Sequence, residues 1–365
     1  MIGRTTVILD GQAGSCGKGK MVGYYALQYQ PDVAINNFMS NAGHTFVMAG
    51  DKPLMTQHLP TSMINPHTTL CLGPGSVITP ELLIDEVRKY RKLIGKRPVF
   101  VHPRAMVIKE RHREKEKQIV QSGSTFKGCG TAQADKIMRI PGTELFGDFY
   151  NSLPEDVKEV VIVFDTSEIV NDALDSGQHV LVEGSQGSDL DINHGLEYPH
   201  VTSRQCNASQ LVADCGIAPT EVDEVIMVIR PYPIRINNKT EMGDTRYTGD
   251  YADSAEISWE DIKKRCGAPD NAEFGEMTTV TKKPRRVFEM SWKRLKYNVR
   301  INRPTAICLN FAQYIDWNVY QASMFMQITS PVQSFMNTIQ KQTKVPVLFI
   351  GTGPANHHMI NLSPC

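Results

Sequence analysis

The chain has 365 residues, enough to bury a sizeable core as one large or two medium domains. Lysine plus arginine equals aspartate plus glutamate at 39 each, so overall charge makes no case for nucleic acid or a membrane surface as partner. Eight cysteines without a Cys-x-x-Cys pair or regular spacing argue against a zinc site or a disulfide framework, and for reduced thiols in a cytoplasm. The N-terminus lacks the apolar core of a signal peptide, and no apolar run approaches the ~18 residues of a membrane span.

In chain order, residues 5–9 form an apolar strand pattern that runs into Asp10-Gly11-Gln12-Ala13-Gly14-Ser15-Cys16-Gly17-Lys18-Gly19-Lys20, with a helix expected from near Met21. Further strands are expected at 33–36, 99–101, 160–164, 180–182, 224–229, 306–309 and 345–350. Helices are expected at 80–93, 110–121, 258–265 and 330–340, and the charged run 109–117 reads as a solvated helix face. This alternation predicts an α/β fold on a largely parallel central sheet with a P-loop-like phosphate site. Neither a repeat nor a low-complexity linker divides the chain, so residues 1–365 read as a single domain with long ligand-binding loops.

Strand, glycine-rich turn and helix together aim backbone N–H groups and a helix N-terminus at phosphate, and Lys18 and Lys20 add positive charge. The spacing is not that of a Walker A loop, because Gly19 rather than Ser or Thr follows Lys18. Downstream, Asn41-Ala42-Gly43-His44-Thr45 places a histidine able to move a proton near neutral pH in a glycine-flanked loop. The run 123–136 carries Thr125, and Arg139 follows it with a planar fork suited to phosphate oxygens. Glu183-Gly184-Ser185-Gln186-Gly187 leads through Asp191 and His194 to Tyr198-Pro199-His200-Val201-Thr202-Ser203. Gln186 can both donate to and accept from a purine edge. Asp191 and His194 read as shaping their loop. In 278–286 the hydroxyls of Thr278, Thr279 and Thr281 stand among Lys282, Lys283, Arg285 and Arg286, a set suited to a small dianion.

These segments resemble, in order, the signatures of the adenylosuccinate synthetases. The first resembles Gln-Trp-Gly-Asp-Glu-Gly-Lys-Gly-Lys, with Ala13, Ser15 and Cys16 departing from it; the second resembles Asn-Ala-Gly-His-Thr in full. The resemblance implies that Gly14, Cys16, Gly17, Lys18, Gly19, Lys20, Gly43, His44 and Thr45 hold the phosphates of the nucleotide donor, and that His44 is general acid. It implies that Asn41, Thr125, Gln186 and Thr202 bind the substrate nucleotide together with Ser15. Arg139 would reach the phosphate from the neighbouring subunit, which implies a homodimer. Thr278, Thr279, Thr281, Lys283 and Arg285 would bind L-aspartate, with Lys283 in place of a family arginine. Mg2+ is the implied cofactor, held at Gly43 and Ser15. The catalytic set is thus Ser15, Lys18, His44 and Gln186.

Two departures redirect the expected substrates. Where the family reads guanine through Thr-Lys-x-Asp, this chain has Asn310-Phe311-Ala312-Gln313, and Asn310, Gln313 and the turn Gly351-Thr352-Gly353-Pro354 are expected to hold ATP or dATP. Ser15 occupies the place of the family's catalytic aspartate; a neutral hydroxyl leaves room for a purine 2-amino group. That pattern resembles the family branch of bacteriophages whose DNA carries 2-aminoadenine. The expected reaction joins dGMP to L-aspartate at the expense of ATP or dATP, giving 2-amino-2′-deoxyadenylosuccinate, in the host bacterial cytoplasm if the chain is phage-encoded. The alternatives are an ordinary synthetase acting on IMP and a nucleotide-binding switch without aspartate chemistry.

Overall fold

The computed structural model describes residues 3–48, 50, 52–119, 124–236, 249–251, 253–277 and 284–363. A ten-stranded sheet organises them. Its strands in chain order are β1 (Arg4–Asp10), β2 (Val33–Asn36), β3 (Thr69–Leu72), β4 (Val99–Val101), β5 (Val161–Val163), β6 (His179–Glu183), β7 (Val222–Ile229), β8 (Ala306–Leu309), β9 (Val347–Gly351) and β10 (Met359–Asn361). They lie side by side in the order β10-β9-β8-β7-β1-β6-β2-β3-β4-β5, and every pairing is parallel except β9 with β10.

The inner strands are apolar on both faces, as a sheet covered on both sides requires. Along β1, Val7 and Leu9 enter one core while Ile8 enters the other. Val180 and Val182 alternate with Leu181, and Ile307 and Leu309 with Ala306 and Cys308, in the same way. Helix α1 (Lys18–Tyr29) covers the Ile8 face with Met21, Val22 and Tyr25. The opposite face is covered by helices Ala208–Cys215, Trp292–Asn302 and Ser330–Thr343, through Leu211, Leu295, Val332 and Met336 among others. Burying those two layers is the main stabilising term.

The expected strands are present, with ends shifted by a residue or two, and β3 and β10 join them unforeseen. Expected helix 80–93 is two pieces, Pro80–Lys89 and Arg91–Ile94, because the backbone leaves helical geometry at Tyr90. The helix after the glycine run begins at Lys18, not near Met21, so both lysines belong to its first turn. Gly17 makes this early start with φ 81°, a left-handed N-cap that residues with a Cβ rarely adopt. The charged helix Glu110–Ile119 is largely exposed, yet His112 and Glu116 are buried. The seven described cysteines are unpaired and buried, and among the described residues no helix is long and apolar enough to cross a membrane.

β1 is central, and the sheet's carboxyl edge gathers the chain segments that follow β1, β2, β6, β7, β8 and β9. Open parallel sheets bind ligands at that edge. Every segment singled out above that follows one of these strands leaves the sheet there.

Candidate active site

The glycine-rich loop between β1 and α1 is wound around one carboxylate. Asp10, buried at the end of β1, accepts N–H bonds from Gln12 (2.9 Å) and Gly14 (3.3 Å) on one oxygen and from Cys16 (2.9 Å) on the other. Its burial raises the carboxyl pKa, while those N–H groups and Lys18 act against that rise. The winding puts Gly14 (φ 83°), Ser15 (φ 57°) and Gly17 in left-handed conformations and leaves the Ser15 side chain exposed on the cleft wall. Cys16 is turned inward, its amide committed to Asp10 and its thiol to the Gln12 side-chain Oε1 at 3.1 Å. Lys20 is also turned away: its ammonium donates to the carbonyls of Gly353 (2.7 Å) and His358 (2.6 Å), and burial lowers its pKa to about 7. It anchors the Gly351–Pro354 turn from behind and lines neither of the site's two clefts.

His44 opens a short hairpin, His44–Phe46 with Leu54–Thr56, against the first turn of α1. Its ring stacks on Phe38, with centroids 3.8 Å apart. Nδ1 lies 3.0 Å from Glu183 Oε1 and 3.1 Å from Lys18 Nζ. Glu183 is fixed in turn by the amide (2.8 Å) and hydroxyl (2.9 Å) of Thr61. Nδ1 has one in-plane position, so it cannot donate to the carboxylate and accept from the ammonium at once. Nε2 is buried and has no partner among the described residues. Burial first, then Lys18, lower the ring's pKa to about 4, so it is neutral at pH 7. Burial also lowers the Lys18 pKa, with Glu183 and Asp10 opposing.

Two clefts meet here. One, of about 270 Å³, is lined by the loop residues Gly14, Ser15, Gly17, Lys18 and Gly19 and by Gly43, His44, Thr45, Phe311 and Arg285. The other, of about 730 Å³, holds Thr125, Thr202, Ser203 and Arg235. Asn41, Thr125 and Gln186 line both, so the clefts are continuous. Gln186, at φ 60°, donates from Nε2 to the Asn41 side-chain Oδ1 at 2.7 Å, while the Thr202 hydroxyl is buried without a partner among the described residues. Asp191 accepts from the amides of Asn193, His194 and Cys206 and from Asn207, a loop-shaping role. Arg139 lines neither cleft. It is exposed at φ 55° just beyond helix Cys129–Met138, beside exposed Ile137 and Met138.

Of the expected aspartate ligands, Thr278, Thr279, Thr281 and Lys283 lie outside the described residues. Arg285 lines the first cleft, and its Nη1 donates to Glu276. After β8, Asn310 donates to the carbonyls of Cys16 (2.9 Å) and Gly17 (3.1 Å), which makes it a brace for the glycine-rich loop. Gln313 is buried with its side-chain oxygen unpartnered among the described residues. Thr352 is buried, its hydroxyl donating to the Ala322 carbonyl at 2.6 Å. Among the described residues no three His, Cys, Asp or Glu side chains cluster as a metal site.

Sequence reasoning passed over Asp10, Glu183, Arg230 and Glu276. The first two stood in the quoted runs, each an acid at the C-terminal end of a parallel strand, which is signal enough to assign them a site role.

A family defined by this sheet, this loop and this histidine emerges from comparison with known proteins. The adenylosuccinate synthetase family model matches residues 7–149 and 145–317. The chain belongs to the adenylosuccinate synthetase family, a family of carbon–nitrogen ligases. It is 34% identical over 329 residues to the N6-succino-2-amino-2′-deoxyadenylate synthase of Salmonella phage PMBT28, covering 86% of each chain. It is likewise 34% identical over 362 residues to the adenylosuccinate synthetase of Methanocaldococcus jannaschii, covering 98% of this chain and 96% of that one. Among solved structures, the succinoaminodeoxyadenylate synthetase of cyanophage S-2L, bound to dGMP and to dATP as an energy donor, matches with TM-score 0.84 and 32% identity, over 100% of this chain and 97% of that one. The fully ligated adenylosuccinate synthetase of Plasmodium falciparum shares the fold, at TM-score 0.79 and 20% identity, over 98% of this chain and 100% of that one.

Proposed function

We propose that the protein condenses dGMP with L-aspartate, using ATP or dATP as phosphoryl donor, and yields 2-amino-2′-deoxyadenylosuccinate, the nucleoside diphosphate and phosphate. The observation that carries this reading is Ser15: where the family places an aspartate, a small neutral side chain stands exposed on the cleft wall. An aspartate there suits deprotonation of IMP at N1; a hydroxyl leaves room for the 2-amino group and accepts its hydrogen bond. The phage relatives and the S-2L enzyme support the same choice.

The first cleft takes the donor phosphates and the second the acceptor nucleotide, with Thr125 and Thr202 toward its phosphate and Gln186 toward the purine. The unpartnered Gln313 oxygen suits the exocyclic amine of adenine, where guanine would present a carbonyl. Phosphate entering the loop draws Lys18 from Nδ1 of His44. Nδ1–H then donates to Glu183, and the adjoining phosphoryl charge favours a proton on Nε2. From there His44 stabilises transfer of the γ-phosphoryl group to purine O6. The purine gives up its N1 proton to solvent as O6 takes the phosphoryl group and the nucleoside diphosphate departs; the aspartate amine then attacks C6, loses a proton and expels phosphate. The family resemblance implies Mg2+. Both Asp10 oxygens are engaged by the loop, which leaves the Ser15 hydroxyl and the Gly43 carbonyl as donors. Such neutral oxygens fit a hard cation whose charge the nucleotide phosphates balance, and bound there it would neutralise them.

One sheet draws strands from both ends of the chain, which supports reading residues 1–365 as a single unit. The exposed Arg139, flanked by Ile137 and Met138, supports a homodimer in which it serves the neighbouring site. The buried, unpaired cysteines fit the cytoplasm.

The test is phosphate release with Mg2+, L-aspartate and either ATP or GTP, comparing dGMP with IMP. Aspartate-dependent release with dGMP and ATP, and little with IMP or GTP, is expected. Preference for IMP would return the chain to ordinary adenine-nucleotide synthesis. Release that ignores aspartate would favour a nucleotide switch.

A further inference from the structure

Arg230 follows β7 into the site and is fully buried, its guanidinium 4.3 Å from the Phe311 ring centroid. Nη1 donates to the Ser15 carbonyl at 3.2 Å and to Glu276 at 3.0 Å; Nη2 donates to the other Glu276 oxygen at 2.5 Å. Glu276 also accepts from Arg285 Nη1 and from the Tyr314 hydroxyl at 3.3 Å. One carboxylate therefore receives two guanidinium groups, and the two arginines hold its pKa down to about 2 against the opposing effect of burial. Two guanidinium groups against one carboxylate leave this trio a net positive charge, and Arg285 is the member that lines the cleft, its Nε buried and unpartnered among the described residues.

We propose that Glu276 is a positioning residue: it orients Arg285 to receive a substrate carboxylate and, through Arg230, ties that arginine to the Ser15 turn of the phosphate loop. The proposal rests on the reading of L-aspartate as substrate. Arg230 supplies two of the four hydrogen bonds that the carboxylate accepts, so Glu276 is shared and aligns the Arg285 fork without fully cancelling its charge. An arginine oriented in advance loses less side-chain freedom when the ligand arrives. It also presents a fixed donor pair to one carboxylate of the dianion.

Glu276→Gln tests this. The amide puts a donor where one guanidinium now finds an acceptor, so one arginine loses its alignment. The KM for L-aspartate should rise by about tenfold, the scale of one charge-assisted hydrogen bond, while the KM values for dGMP and ATP and the kcat stay within about threefold. An unchanged aspartate KM overturns the proposal. A joint rise in all three KM values overturns it too, as the mark of a structural role. Should that variant fail to fold, Glu276→Asp keeps charge and both acceptors but draws them back by one carbon. It should raise the aspartate KM alone, and an unaltered value overturns the proposal. A wild-type protein without aspartate-dependent phosphate release would overturn the proposed function and this inference together. Aspartate dependence with an indifferent Glu276→Gln overturns this inference only.

Discussion

Ser15 is held at φ 57° by the turn around Asp10, with its carbonyl on Arg230, so the backbone fixes where its side chain points. Replacing it tests the substrate choice without moving the loop. Ser15→Asp should lower kcat/KM for dGMP by at least about tenfold and raise it for IMP, since a carboxylate crowds the 2-amino group and supplies a base for N1. Steady-state kinetics with both nucleotides decide it, and an undiminished dGMP rate would remove Ser15 from the purine site. A second consequence concerns acid. Burial lowers His44 to about 4 and His58 to about 3, below the ordinary value of 6.5. Between those values and 6.5 the unfolded chain binds protons that the folded one does not, so stability rises with pH across that window. Urea unfolding midpoints should fall as pH drops from 6.5 toward 4, and His58→Gln should flatten the slope. An identical slope in the variant would show that His58 is not the group being titrated.

At the scale of elements, what was legible followed from local chemistry. Continuous apolar runs marked the buried strands, and the glycine run marked the tight loop between β1 and α1. β3 escaped because it is short and its partners lie far away in sequence, and β10 because three residues returning antiparallel along β9 carry little pattern of their own. The start of α1 escaped because Gly17 and the Asp10 carboxylate, not propensity, decide it. Arg230 and Glu276 were invisible for the same reason, being 46 positions apart and joined only by the fold. The packing of α1 against the His44 hairpin yields its own expectation. A Cβ at Gly19 would stand 2.8 Å and 2.9 Å from the backbone oxygen and nitrogen of Thr45. Gly19→Ala should therefore push the hairpin from the helix, cost about 1–3 kcal/mol of stability and lower kcat by at least about tenfold. Thermal unfolding and turnover measured together check this; full turnover in a destabilised variant would mean that His44 tolerates the shift.

For the whole molecule, the open question is whether one chain completes its own site. Arg139 lines neither cleft and stands exposed beyond its helix, so within a single subunit it touches no part of the proposed chemistry. In a twofold dimer the same residue on the partner can close the second cleft, and both sites gain it at once. Arg139→Ala and Lys18→Ala should then each be inactive alone, for different reasons. Mixed in equal amounts and allowed to exchange subunits, half the dimers carry one of each. In such a dimer the Arg139→Ala subunit keeps its own Lys18 and receives Arg139 from its partner, so one of its two sites is whole. Activity should return to about a quarter of the wild-type level, the share of intact sites under random pairing. Failure to recover, with exchange verified by size and by a tagged subunit, would place Arg139 in its own subunit's site or outside the chemistry altogether.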